Sequence, residues 1–242
     1  MCGLTGYWST TRADTALIKR MGLTLKHRGP DGSGIFINED KTLAIAHRRL
    51  SIIDVSEAGH QPMVSFCKRF VLSYNGEIYN HLEIRKELKD SGYSCPWSGY
   101  SDTETLLAAL IHWGIPSTLR RLNGMFAFAL WDGDEKTLTL ARDRMGEKPM
   151  YYGMVDNTFF FGSELSSFKP HPNWTSELNR DVVSLYLRHN YVPDPWSIYS
   201  GIKKVAPAHY VVVSNNGKNI SDQISYWSLL NQLEFKNHNS DK

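Results

Sequence analysis

Apolar residues along this 242-residue chain fall mainly in alternating patterns or short unbroken runs, the signatures of half-buried and fully buried strands. Strands are predicted at Gly3–Trp8, Ser33–Ile37, Leu43–His47, Phe70–Tyr74, Met125–Trp131, Thr137–Ala141 and Phe159–Gly162. The run "MFAFALW" (Met125–Trp131) is apolar on both faces, so its strand is expected to be covered on both sides. The loop Asp132-Gly133-Asp134-Glu135-Lys136 joins it to the next strand as a hairpin. Helical periodicity appears at Ala13–Lys26, Leu82–Asp90, Thr103–Trp113 and Arg180–His189. Strands in hairpins with helices set between them predict an α+β architecture, antiparallel sheets with helices packed outside. Asn75-Gly76 would ordinarily mark a hairpin turn, but helical spacing follows (Ile84, Leu88). The pair is therefore expected where a strand hands over to a helix.

Composition narrows the class. A formal charge of +2 gives no strong electrostatic commitment to nucleic acid or an anionic membrane, and no apolar stretch is long enough to span a bilayer. Cys2, Cys67 and Cys95 are odd in number and lack C-x-x-C spacing, which argues against a disulfide scaffold or a zinc site. With no leader of signal-peptide form, a cytoplasmic setting is expected, and the sequons at Asn173 and Asn219 read as chance matches. The basic run Lys26-His27-Arg28 reads as a solvated face or a single anion contact. From Tyr191 the texture turns proline-rich, and "NQLEFKNHNSDK" at the end reads as a linker or tail.

Five stretches carry candidate chemistry, each with a plainer alternative. Cys2 is either a small buried hydrophobe or, once Met1 is lost, a nucleophile carrying its own α-amine as base. "HRGPDGSG" (His27–Gly34) demands a loop and lacks the order and context of a dinucleotide site. Arg49, ending a strand in "AHRRLSIID", is a solvated edge residue or a bidentate clamp for a carboxylate. Asn75 and Gly76 are a tight turn or two donors for an oxyanion. Asp102 is a dipole-favoured first-turn acid behind a Ser101/Glu104 capping box, or a carboxylate holding a substrate ammonium. Taken together, nucleophile, oxyanion donors, cationic clamp and acids suit a free α-amino acid bearing a side-chain amide.

An N-terminal "MCG", then "HRGPD", "RLSIID", "NGEIYNH", "SDTE", "GMFAFALWD" and "RDRMGEKPMYY", stand in the order seen in class II glutamine amidotransferases. The chain most closely resembles the glutaminase domain of glutamine-hydrolysing asparagine synthetase. The resemblance implies a four-layer αββα N-terminal-nucleophile hydrolase fold, two stacked antiparallel sheets flanked by helices. It implies Cys2 as nucleophile and Asn75 and Gly76 as oxyanion donors. It further implies that Arg49, Leu50, Ser51, Ile52 and Ile53 bind the glutamine carboxylate, and that Glu77 and Asp102 hold the α-ammonium. A glutaminase domain is expected over residues 1–190, an extension of it over 191–228 and a linker or tail over 229–242. The synthetase loop S-G-G-x-D-S does not occur, nor does a phosphate-binding G-x-x-x-x-G-K-[ST]. ATP and magnesium are therefore expected only in a separate synthetase domain, with no metal or cofactor here. The expected partners are L-glutamine, a synthetase domain or subunit in cis or trans, and a second copy in a homodimer. Ala208 stands where the family usually carries Gly, read as a minor loop change. Three other readings stay open: a catalytically idle regulatory or assembly subunit, an amidotransferase serving an acceptor other than aspartate, and a related hydrolase cutting another amide.

Overall fold

A computed structural model describes residues 1–175 and 177–230; most of the tail expected at 229–242 lies outside the described residues. The chain runs β1 (Gly3–Trp8), α1 (Thr15–Leu23), β2 (Gly32–Ile37), β3 (Leu43–Arg49), β4 (Met63–Val64), β5 (Phe70–Ile78), α2 (His81–Asp90), α3 (Asp102–Trp113) and α4 (Ile115–Arg121). It continues with β6 (Gly124–Asp132), β7 (Thr137–Arg142), β8 (Tyr151–Val155), β9 (Thr158–Gly162), α5 (Arg180–His189), β10 (Ile202–Lys204), β11 (His209–Ser214), β12 (Asn219–Ile220) and β13 (Ile224–Ser225).

Two antiparallel sheets form, in the orders β10-β8-β9-β1-β3-β2 and β12-β11-β7-β6-β5-β4, with β13 also pairing β11. Strand periodicity of two sends alternate side chains to opposite faces, and here both faces of the central strands are apolar. Leu4, Trp8, Ile45, Ala127, Ala129, Leu138 and Phe161 form the core between the sheets. Ala44, Ala46, Tyr7 and Phe160 face α1 on one outer side. Phe126, Phe128 and Leu130 meet Leu106, Leu110 and Leu88 of α3 and α2 on the other. The layers are helix, sheet, sheet, helix, as the resemblance implied. "MFAFALW" is buried on both faces for this reason. At Gly6, in the middle of β1, a Cβ would collide with the Phe161 ring and the Ala44 carbonyl, so close packing demands glycine.

Several local expectations are corrected. The strand holding Asn75-Gly76 does not end there: β5 runs on to Ile78, because β6 pairs with it through Gly124↔Ile78, and α2 starts only at His81. α1 is shorter than expected, capped by Asp14, whose carboxylate accepts the Ala16 N–H at 2.7 Å. The Ser101/Glu104 capping box is half made. Ser101 Oγ accepts the Glu104 N–H, but the Glu104 carboxylate accepts instead from Ser98 N and Gly99 N and pairs with Arg85. The predicted strands and helices do not include α4, β4, β8, β10, β11, β12 or β13. Among the described residues no helix is long and apolar enough to cross a membrane.

Candidate active site

Cys2 stands just ahead of β1, an interior strand, so the terminus is delivered to the edge of the inter-sheet core. Arg28, from the "HRGPD" loop, fixes this end: its Nε donates to the Cys2 carbonyl at 2.9 Å and its Nη1 to Glu164 Oε1 at 2.8 Å. That ion pair is the single anion contact anticipated for the basic run. The Leu50 N–H donates to Cys2 Sγ at 3.3 Å. Burial pushes the thiol pKa up, against the pull of that N–H, the terminal amine and Arg49. A thiol so placed keeps its proton near neutrality and needs a base before it can attack.

A cleft of about 100 Å³ opens over this sulfur. Cys2, Arg49, Leu50, Ile52, Ile53, Asn75, Gly76, Glu77 and Asp102 all line it. Ser51 does not: its N–H donates to Asp31 Oδ2 at 2.9 Å, which pins the loop after β3 to the "HRGPD" loop. Asn75 and Glu77 share one face of β5 by its period of two. Asn75 is 1% exposed, and its Nδ2 is buried with no hydrogen-bond partner. Buried amide donors are almost always satisfied, so an orphaned one facing a cleft marks a place for an acceptor.

Arg49 ends β3, and its guanidinium donates to the carbonyls of Asp54 and Ser56 in the following loop. Asp54 ties that loop across the cleft mouth, accepting from Ser56 through Oδ1 and from the Tyr100 N–H at 3.0 Å through Oδ2. Those bonds hold its carboxyl below the usual carboxylate range. Asp102, at the first position of α3, is 5% exposed. Its Oδ2 accepts from the Tyr74 hydroxyl at 2.7 Å and the Ile78 N–H at 3.0 Å. Burial and this carboxylate drive the Tyr74 pKa well above 10, so the phenol remains a donor.

Gln61 and Lys148 are among the lining residues that the sequence did not single out. Gln61 Oε1 accepts the Tyr74 N–H at 2.7 Å. Lys148, 5% exposed, donates from Nζ to Met1 Sδ at 3.2 Å. Its loop is wound around Asp143, which accepts from the N–H groups of Phe126, Met145, Glu147 and Lys148. A lysine inside "RDRMGEKPMYY" gives no periodic or spacing signal; only the folding of that loop on Asp143 turns it inward. Among the described residues, no group of three or more His, Cys, Asp or Glu could hold a metal ion.

Two face-to-face antiparallel sheets between helices, with a cysteine leading into an inner strand, define the fold of the N-terminal-nucleophile hydrolases. Phosphoribosylpyrophosphate amidotransferase from Bacillus subtilis, complexed with ADP and GMP, has this fold, with a TM-score of 0.66 at 21% identity. That similarity covers 93% of this chain and 49% of the other. The chain belongs to the glutamine amidotransferase domain family, which it matches over residues 1–227. Asparagine synthetase [glutamine-hydrolyzing] 3 of Bacillus subtilis (strain 168) is 36% identical over 235 residues, 95% of this chain and 37% of that protein. Putative asparagine synthetase [glutamine-hydrolyzing] 2 of Methanocaldococcus jannaschii is 32% identical over 251 residues, 95% of this chain and 47% of that protein. The chain thus spans between a third and a half of the length of these curated relatives.

Proposed function

We propose that this chain hydrolyses L-glutamine to L-glutamate and ammonia through a thioester on Cys2. The observation that carries the reading is the orphaned Asn75 amide in one cleft with the Cys2 thiol, the Arg49 guanidinium and the Asp102 carboxylate. Arg49 takes the α-carboxylate; Asp102 and Glu77 take the α-ammonium. That leaves the side-chain amide over the sulfur. Removal of Met1 frees the Cys2 amine, whose ordinary pKa of about 7.7–8 suits a base near neutrality. The amine accepts the thiol proton as sulfur bonds to the amide carbon, and the oxygen gains the electron pair. Asn75 Nδ2–H and the Gly76 N–H stabilise that oxyanion; one such donor is worth about 10²–10³ in rate. The C–N bond then breaks, the leaving nitrogen takes the proton back from the amine, and ammonia departs. Water, deprotonated by the same amine, cleaves the thioester and restores the thiol.

The ammonia is used by a synthetase domain or subunit, in cis or trans, which supplies ATP and magnesium chemistry that this chain does not need for hydrolysis. Aspartate is the acceptor suggested by the similarity to asparagine synthetases. The setting is cytoplasmic, a reading supported by three cysteines that are all free. Following ammonia release from glutamine by purified, mass-verified protein tests the mechanism. Processed protein is expected to turn over, whereas Cys2→Ala and protein retaining Met1 are expected to be inactive. Turnover by the Met1-retaining form would overturn the terminal-amine mechanism, and an inert processed wild type would favour the idle-subunit reading.

A further inference from the structure

A second cavity, of about 250 Å³, lies on the outer face of the first sheet where α1 crosses β2 and β3. It exists because the helix comes very close to the sheet there. A Cβ on Gly22 would reach the Ala46 methyl at 3.0 Å, so small residues open the space that Leu23 and Ile35 then border. Leu23 is 58% exposed and Ile35 37%, an apolar wall left open to a ligand.

One end of this cavity is cationic. Ser33 and Arg48 stand directly opposite each other in the β2–β3 ladder and so share the helix-facing side with Ala46 and Ile35. Arg48 Nε is buried without a hydrogen-bond partner. Among the described residues no carboxylate lies within 4 Å of Arg48 or of Lys19, the other cation of the rim. Arg48 is only partly buried, but a buried N–H of its guanidinium left without a partner is costly, and the planar donors of that group match an oxyanion. Strand alternation sends Arg48 to the helix face while its neighbour Arg49 lines the cleft over Cys2, so the two arginines serve separate spaces.

We infer that this cavity binds a small free carboxylate with a short apolar body, its head on Arg48, Ser33 and Lys19 and its body against Leu23, Ile35 and Ala46. The concave space suits a small molecule more than a protein surface, and the apolar wall favours a hydrocarbon body over a fully hydrated anion. The inference does not depend on glutamine hydrolysis.

Nuclear magnetic resonance titration of the full chain with n-butyrate tests it, read at the Arg48 Nε–H and at the Leu23 and Ile35 methyls. Inorganic phosphate and n-butylamine serve as comparisons. Saturable shifts at those three positions with butyrate, and none with butylamine, are expected. Arg48→Gln should weaken binding at least ~10-fold, a loss of about 1.4 kcal/mol. Arg48→Lys and Lys19→Gln should weaken it less. Arg49→Lys should leave it unchanged, which separates this cavity from the cleft. The inference fails if butyrate produces no saturable shift well above ~1 mM. It also fails if Arg48→Gln, with an unaltered thermal midpoint, binds as wild type does, or if phosphate alone saturates the site.

Discussion

Arg49 combines two bonding duties in a single side chain. Its guanidinium is tied to the carbonyls of Asp54 and Ser56, which orients it, and it still borders the cleft where a carboxylate would sit. A guanidinium can serve both because its five N–H donors spread over a rigid plane. Lysine keeps the charge but offers a single nitrogen on a flexible stem. Arg49→Lys is therefore expected to raise KM for glutamine at least ~10-fold, with a much smaller change in kcat, since a bidentate contact is lost before the chemical step. Steady-state ammonia release checks this, and an unchanged KM would remove Arg49 from the clamp. Asp54 acts one step further out. Asp54→Ala frees the loop from Tyr100 N and Ser56 while leaving Arg49, Asn75 and Asp102 unchanged, so KM should rise by a smaller factor, about 3–10, from loss of hydrogen bonds worth about 1 kcal/mol. Equal KM in the variant and the parent would show that the loop is ordered without it. The sequence made Arg49 legible because a strand ends there in a paired-arginine motif. It left Asp54 and Lys148 unread, because their parts depend on loops meeting residues far along the chain.

At the scale of elements, the strand carrying Asn75 and Gly76 is built to bring donors to the cleft without breaking its ladder. Gly76 faces Phe126 on β6, and a Cβ there would strike the Met125 carbonyl and the Phe126 Cα. Those obstacles are backbone, so Gly76→Ala should force β5 and β6 apart. A loss of about 1–3 kcal/mol, seen as a lower thermal midpoint, should accompany loss of activity; an unshifted midpoint would contradict the strand contact. Ala208 shows the opposite balance. Its φ of 62° lies in the left-handed region, which costs a non-glycine residue about 1–2 kcal/mol. Yet its methyl is buried in the core beside the helices, worth about 0.8 kcal/mol, and glycine would loosen the unfolded chain. Ala208→Gly should accordingly shift stability by less than about 1 kcal/mol, whereas a β-branched Ala208→Val should cost more than about 2 kcal/mol. Denaturant titration of both variants decides it, and a neutral valine would refute the strain. The family difference at this position looks minor in sequence because a backbone angle leaves no mark on the residue letter. The strands showed themselves by period and apolar runs. Their ends did not, because Gly124↔Ile78 pairing, not local preference, carries β5 past the Asn-Gly pair.

Across the whole molecule, the two sheets are held together by an apolar interior with one histidine set into it. His47 of β3 is 1% exposed; its Nδ1 meets Ser73 Oγ of β5 at 3.0 Å, a polar tie between the sheets. Its Nε2 has no partner, and burial, then His60 and Arg49, push its pKa down to about 3. His171, packed edge-on against Tyr7 and Phe160, is pushed down to about 4 by burial alone. In the unfolded chain both would titrate near their ordinary value of about 6.5. Between these limits the unfolded state binds more protons than the native state, so stability rises with pH and is lost as pH falls from about 6.5. The slope approaches about 1.4 kcal/mol per pH unit for each histidine once pH is well below 6.5. Asp54, Asp132 and Glu164 have carboxyl groups held below their usual range, so their stabilisation is lost only at more acid pH. The interval between about pH 6.5 and 5 therefore belongs to the buried histidines. His81 is pushed down by burial as well, so urea midpoints measured across this interval should fall steeply for the parent chain and less steeply for His47→Gln, whatever the variant's absolute stability. Parallel slopes would mean that His47 is protonated inside the fold. That would require an acceptor at Nε2, and apolar contact between the sheets would no longer account for their packing.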